Sequence, residues 1–135
     1  MCIRDRLNAS LPSSRVFVSS IPDIYQLFSL YRYDLGANSV WAIAGICQSM
    51  LAWPFSNLPA DSARRARVRQ RNIDYNTQLA QVCATYTLCR FDGNAVFNTA
   101  FVRSDVTTRD YFHPSVNGQA KLAAVTWSVA ASFVQ

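Results

Sequence analysis

No stretch of the chain approaches the roughly 18 consecutive apolar residues that a membrane-spanning helix needs. The N-terminus lacks the basic, apolar, then small-residue layout of a secretory signal. There is no CxxC pair and only one histidine, His113, which leaves little from which to build a zinc site. Lysine is almost missing, since all but one of the 13 basic residues are arginine. What remains is 50% apolar and 13% aromatic, too rich in core-forming residues for a disordered tail. At 135 residues the chain fits one domain or a large piece of one.

The first residues stand apart. Met1-Cys2-Ile3-Arg4-Asp5-Arg6 resembles the translation of a transposase adapter used to prepare sequencing libraries, and residues 1–6 are therefore set aside from fold reasoning. The expectation is that Met1 is not a natural start and that protein is missing ahead of Leu7. Cys47, Cys83 and Cys89 then remain. Cys83 and Cys89 bracket Ala-Thr-Tyr-Thr-Leu and could close a local disulfide if their Cα atoms lie within about 7 Å. Cys47 could instead pair with either of them, or with a cysteine upstream. Any disulfide points to an oxidising compartment.

The net charge is +5, and Arg64, Arg65, Arg67, Arg69 and Arg71 crowd into one segment. At 100° per residue they do not form one stripe: Arg64, Arg67 and Arg71 share a face while Arg65 and Arg69 lie elsewhere. No aromatic residues interleave to stack bases, and no nucleic-acid motif accompanies them. The expected role is a solvated helix face, with no nucleic-acid partner.

Val16-Phe17-Val18 is a short β-branched and aromatic run, read as a buried parallel strand that Ile21-Pro22-Asp23 ends. A short helix is expected over Asp23 to Tyr33, with Ile24, Leu27, Phe28 and Tyr31 at helical spacing. From Asp34 to Pro59 the pattern is irregular, and Trp41, Trp53 and Phe55 read as core or cleft wall. A long helix is expected from Asp61, as N-cap, to Thr85. Its inward stripe would be Ala66, Ile73, Leu79, Ala80, Val82 and Cys83, with the arginines facing out. Leu88 to Phe91 reads as a second strand closed by the turn Asp92-Gly93-Asn94, and Pro114 as the start of a last helix. Strand, crossover, helix, strand, helix is an α/β order with a parallel sheet. Ligands of such sheets bind beyond the carboxyl ends of the strands.

The one segment that carries chemistry is Thr108-Arg109-Asp110-Tyr111-Phe112-His113-Pro114-Ser115. Asp110 lies three residues before His113. On a tight loop its carboxylate reaches the imidazole Nδ1–H, orients the ring and stabilises an imidazolium, leaving Nε2 free to take a proton from a hydroxyl. Pro114 holds His113 extended and rigid. The spacing alone is a weak motif, because a histidine placed at a helix mouth for structural reasons would share it.

The flanking residues add to it. Asp-Tyr-Phe-His-Pro-Ser-Val-Asn-Gly-Gln-Ala-Lys-Leu-Ala (110–123) resembles the final sequence block of the SGNH/GDSL hydrolases, Asp-x-x-His-Pro followed by a glycine and a helix. Segments 15–23, 71–80 and 89–97 resemble the same family, chiefly its secreted bacterial branch, so the likeness runs through most of the chain from Leu7. The resemblance implies a three-layer α/β/α, flavodoxin-like fold around a parallel sheet. It also implies hydrolysis of a small-molecule or lipid carboxylic ester by a Ser-His-Asp triad, with no cofactor and no metal. His113 matches the general base and Asp110 its orienting acid.

The departures from the family matter equally. No Gly-Asp-Ser nucleophile block and no Gly-x-Asn-Asp oxyanion block occur in this sequence. Ser19, Ser20 and Asn94 belong to other stretches and are not read as substitutes. Residues 7–135 are therefore expected to be the C-terminal part of one hydrolase domain, inactive alone. With strands missing, the isolated piece is expected to aggregate or stay partly disordered. The competing expectation is a non-catalytic binding module that uses the basic helix or the aromatic residues Trp41, Trp53 and Phe55.

Overall fold

The computed structural model describes residues 9, 10 and 12–134 of the chain, so residues 1–6, read as adapter-derived, lie outside the described part. Val16–Val18 forms β1 and Cys89–Phe91 forms β2, paired in parallel with Val16 opposite Cys89 and Val18 opposite Phe91. Backbone bonds extend the pairing at both ends, from the Val16 amide to the Leu88 carbonyl and from the Asp92 amide to the Val18 carbonyl. Between the strands run four helices: α1 (Tyr25–Tyr31), α2 (Leu35–Ala44), α3 (Gln48–Leu51) and α4 (Pro59–Cys83). After β2 come a 3-10 turn at Arg103–Asp105 and a final helix, α5 (Val116–Val134). A parallel strand pair joined by a helical connection places the chain in the α/β class. Among the described residues no helix is long and apolar enough to cross a membrane.

The buried core is Phe28, Tyr31, Ala37, Trp41, Met50, Leu51 and Val106. It sits between α1, α2 and α3 and reaches the loop that follows the 3-10 turn. Segment 34–59, expected to be irregular, in fact holds α2 and α3. Asp34 caps α2 by accepting the Ala37 amide at 3.0 Å, and Gly45, at φ 65°, closes it. Trp41 is core, as expected, but Trp53 and Phe55 are 75% and 52% exposed and line no core.

The helix expected from Asp61 begins two residues earlier. Pro59 occupies its first turn, where a missing N–H costs nothing, and Leu58 stands at the cap position. Asp61 instead accepts the Ser56 hydroxyl and pairs with Arg64 at 3.1 Å. The inward face of α4 is also not the apolar stripe foreseen. Its buried residues are Arg65, Asn72, Asn76 and Cys83. Asn76 holds both the amide and the carbonyl of Ile21, at 2.7 and 3.0 Å, so its side chain acts like a strand partner to the loop after β1.

The expectation that the arginines all face out fails at Arg65. It is 2% exposed, stacks over the Phe28 ring at 4.3 Å and donates to the Ser56 carbonyl at 2.7 Å. Arg64 donates to the carbonyls of Gln48, Ser49 and Ala52, and Arg69 forms a two-pronged pair with buried Asp23. Three of the five arginines thus hold α4 against its neighbours.

Cys83, ending α4, is disulfide-bonded to Cys89, opening β2, with Cα atoms 5.2 Å apart, and Cys47 is a free thiol. α5 starts at Val116 and not at Pro114. Ser115 is its cap, accepting the Gly118 amide on its hydroxyl. Pro114 forms an antiparallel bridge with Val106.

Candidate active site

The loop from Asp105 to Ser115 is closed at its base by that bridge. The Ser115 amide donates to the Asp105 carbonyl at 2.8 Å and the Thr107 amide to the His113 carbonyl at 3.0 Å. Proline suits position 114 because the bridge asks nothing of its nitrogen. Beneath the bridge, the buried Asp105 carboxylate accepts the Val102 amide and an ion pair from Lys121 of α5. The Lys121 ammonium and the Val102 amide together hold the Asp105 carboxyl below its ordinary range, against the opposing pull of desolvation.

α5 crosses this base very closely at Gly118. A Cβ there would lie 2.0 Å from the Asp105 carbonyl oxygen, so only glycine lets the helix seat under the loop. The glycine that follows the Asp-x-x-His-Pro block therefore has a packing reason.

Within the loop the Tyr111 amide donates to the Thr107 carbonyl at 3.0 Å, and Tyr111 itself adopts a left-handed backbone with φ 55°. For a tyrosine this conformation costs about 1–2 kcal/mol. It turns the following two amides onto one carboxylate oxygen: Asp110 Oδ1 accepts Phe112 N–H at 2.9 Å and His113 N–H at 3.0 Å. The second oxygen is left for the ring, and His113 Nδ1 lies 2.6 Å from Asp110 Oδ2.

The Phe112 ring supports the imidazole edge-on at 5.3 Å. The histidine side chain is 71% exposed and the aspartate side chain 27%. Partial burial pulls the Asp110 carboxyl upward. Hydrogen bonds from the His113 ring and from the His113 and Phe112 amides outweigh it and leave the group below its ordinary value. Asp110 is accordingly an anion at neutral pH, fixed by three donors.

The contact that the spacing predicts between Asp110 and His113 is present. Spacing did not reveal Trp41, whose indole N–H donates to the Tyr111 carbonyl at 3.2 Å from 70 residues away. Nor did it reveal the Asp105–Lys121 pair. Neither has a local sequence signal, because both are contacts between distant elements.

Ser20 and Asn94, set aside on sequence grounds, have other work. The buried Ser20 hydroxyl donates to Asp92 Oδ2 at 2.7 Å and accepts the Phe97 amide, while Asn94 sits at φ 67° in the turn after β2. Ser19, which follows β1, is exposed. Among the described residues no hydroxyl is hydrogen-bonded to His113 Nε2, and no cluster of three or more His, Cys, Asp or Glu side chains could hold a metal. No family model, curated protein or solved structure matches the chain.

Proposed function

We propose that Asp110 and His113 are the acid and base of a serine ester hydrolase of the SGNH/GDSL type, whose nucleophile and oxyanion donors lie on protein outside this sequence. The observation that carries the reading is the 2.6 Å contact between Asp110 Oδ2 and His113 Nδ1, with the ring exposed and Nε2 uncommitted. A neutral imidazole held this way carries its proton on Nδ1 and offers the Nε2 lone pair.

In that role Nε2 takes the proton of a serine hydroxyl as its oxygen attacks the ester carbonyl. Asp110 stabilises the resulting imidazolium without itself becoming protonated. The imidazolium returns the proton to the departing alkoxide, and the acyl-enzyme forms. Water then repeats the sequence, its proton going to Nε2 and thence to the serine, releasing the carboxylic acid. The substrate is a small-molecule or lipid ester.

The two-stranded parallel sheet, with α4 leading into β2 and α5 after the histidine, is compatible with the three-layer, flavodoxin-like α/β/α domain that this reading needs. The Cys83–Cys89 disulfide favours an oxidising, extracellular setting. The binding-module alternative loses support in its basic-helix form, since Arg64, Arg65 and Arg69 are engaged within the fold, while Trp53 and Phe55 stay exposed.

The test begins with the genomic reading frame upstream of Leu7. A Gly-Asp-Ser block followed by Gly-x-Asn-Asp is expected there, and the product of that longer frame should hydrolyse p-nitrophenyl esters. A frame that opens at Met1, or a longer product with no esterase activity against short or long acyl chains, removes the proposal.

A further inference from the structure

We infer that Trp41 is a positioning residue for the Asp110–His113 pair, acting through the Tyr111 carbonyl. The inference rests on the reading of that pair as an acid–base unit, and it names what keeps the unit assembled. Asp110 can offer one oxygen to two amides and the other to the ring only if residue 111 turns into the left-handed region. An L-residue does not stay there unaided.

Besides the Tyr111 amide bond to the Thr107 carbonyl, which precedes the turn, three contacts hold it. The Tyr111 ring meets Tyr31 edge-on at 5.4 Å, its hydroxyl lies over Gly36, and its carbonyl accepts the Trp41 indole N–H. Of these only the indole bond acts on the backbone that follows Tyr111. It fixes the peptide plane joining Tyr111 to Phe112, and that plane carries the first of the two amides on Asp110 Oδ1.

Trp41 is well suited to the task. It is 1% exposed in the middle of α2, and Tyr31 stands edge-on to it at 6.4 Å. Its own carbonyl accepts the Ile46 amide and the Gln48 side chain. A rigid donor on a buried helix thus reaches an exposed loop. Gly36 has a matching part: a Cβ there would sit 3.3 Å from the Tyr111 hydroxyl, tighter than ordinary contact, so glycine leaves the tyrosine its seat.

The readout is the ring tautomer of His113, visible without interference because the chain has no other histidine. Long-range proton–nitrogen correlation on the neutral ring, in solution or by magic-angle spinning of sedimented chain, reports which nitrogen carries the proton. The unaltered chain should show the Nδ1–H form. Trp41→Phe, which removes the donor, should shift the tautomer ratio about fivefold toward Nε2–H, the loss expected for one hydrogen bond. Adding Tyr111→Gly should restore it, since glycine holds a positive φ without a tether. Simple loss of core packing predicts no such rescue. Replacement of Trp41 by 3-benzothienylalanine keeps the ring shape and removes only the N–H, and it guards against unfolding of Trp41→Phe. An unchanged ratio with that isostere, or no recovery in the double variant, overturns the proposal. Neither measurement needs a nucleophile or turnover, so its failure is distinct from failure of the hydrolase reading.

Discussion

Two aspartates in this fold have the same inventory of partners and opposite surroundings. Asp92, at the end of β2, accepts one side-chain donor, the Ser20 hydroxyl, and the amides of Asn94 and Val96. Asp110 also accepts one side-chain donor, the His113 ring, and the amides of Phe112 and His113. At Asp92 the network closes on itself: carboxylate and serine are 4% and 3% exposed, and the serine oxygen is used again by the Phe97 amide. At Asp110 it stays open, since its partner's ring is largely exposed and has a second nitrogen to spare. The same turn chemistry yields a structural knot in one place and an exposed imidazole in the other. What separates them is whether the side-chain partner retains an unsatisfied, accessible atom.

The sharpest way to break the comparison is kinetic. In the proposed longer enzyme Asp110→Asn keeps the acceptor for the two amides but misorients the ring, and kcat should fall about 10⁴-fold with little change in Tm. Equal losses of activity and of stability would put Asp110 on the structural side with Asp92. Next in size, Ser20→Ala should cost about 1–3 kcal/mol in chemical denaturation, because it strands the Phe97 amide and leaves Asp92 Oδ2 with the Val96 amide alone, while turnover of folded enzyme stays intact. A drop in turnover without loss of stability would give Ser20 a chemical role that its geometry denies.

Gly118→Ala sharpens the contrast from below. The added methyl meets the Asp105 carbonyl, so α5 or the loop base must shift, at about 1–3 kcal/mol. Hydrogen exchange should quicken at 105–115 and stay unchanged at 92–97. Uniform quickening would mean that the two aspartate sites unfold as one unit.

The smallest effect is with pH. The folded Asp110 carboxyl releases its proton more readily than the unfolded one, so its contribution is complete above about pH 4 and is lost as pH falls through the depressed folded value. Asp110→Asn should flatten that acid limb of the stability profile, and an unchanged limb would show the carboxylate to be no better held in the folded chain.

Much of this arrangement was legible in the residues themselves. β1 and β2 announced themselves by β-branched and aromatic runs, the Asp92-Gly93-Asn94 turn by its residue types, and the aspartate–histidine pair by spacing and flanks. α2 was legible in principle, between Asp34 as cap and Gly45 as stop, yet its apolar pattern is too mixed to reveal a helix by period alone. The inward face of α4 was hidden for a different reason. Arg65, Asn72, Asn76 and Cys83 recur at spacings of seven, four and seven, a helical face written mostly in polar residues. Hydrophobic periodicity is blind to such a face, because what it buries is hydrogen-bonded loop backbone. Trp41 carried no signal of its role, since its partner carbonyl belongs to a loop 70 residues away.

The surface has a further feature apart from His113. β1 and β2 pair only with each other among the described residues, and Val116 and Trp127 on α5 are 82% and 59% exposed. Open strand edges and bare apolar side chains favour self-association. The apparent mass of the 135-residue chain by light scattering should accordingly rise with concentration, and a monomer at all concentrations would show that these surfaces need no cover.

The most direct measurement is active-site labelling. The product of the longer reading frame, treated with a serine-directed fluorophosphonate, should be modified rapidly, and His113→Ala should slow that modification by orders of magnitude while the protein remains folded. Undiminished labelling and turnover in His113→Ala would contradict a base at this position.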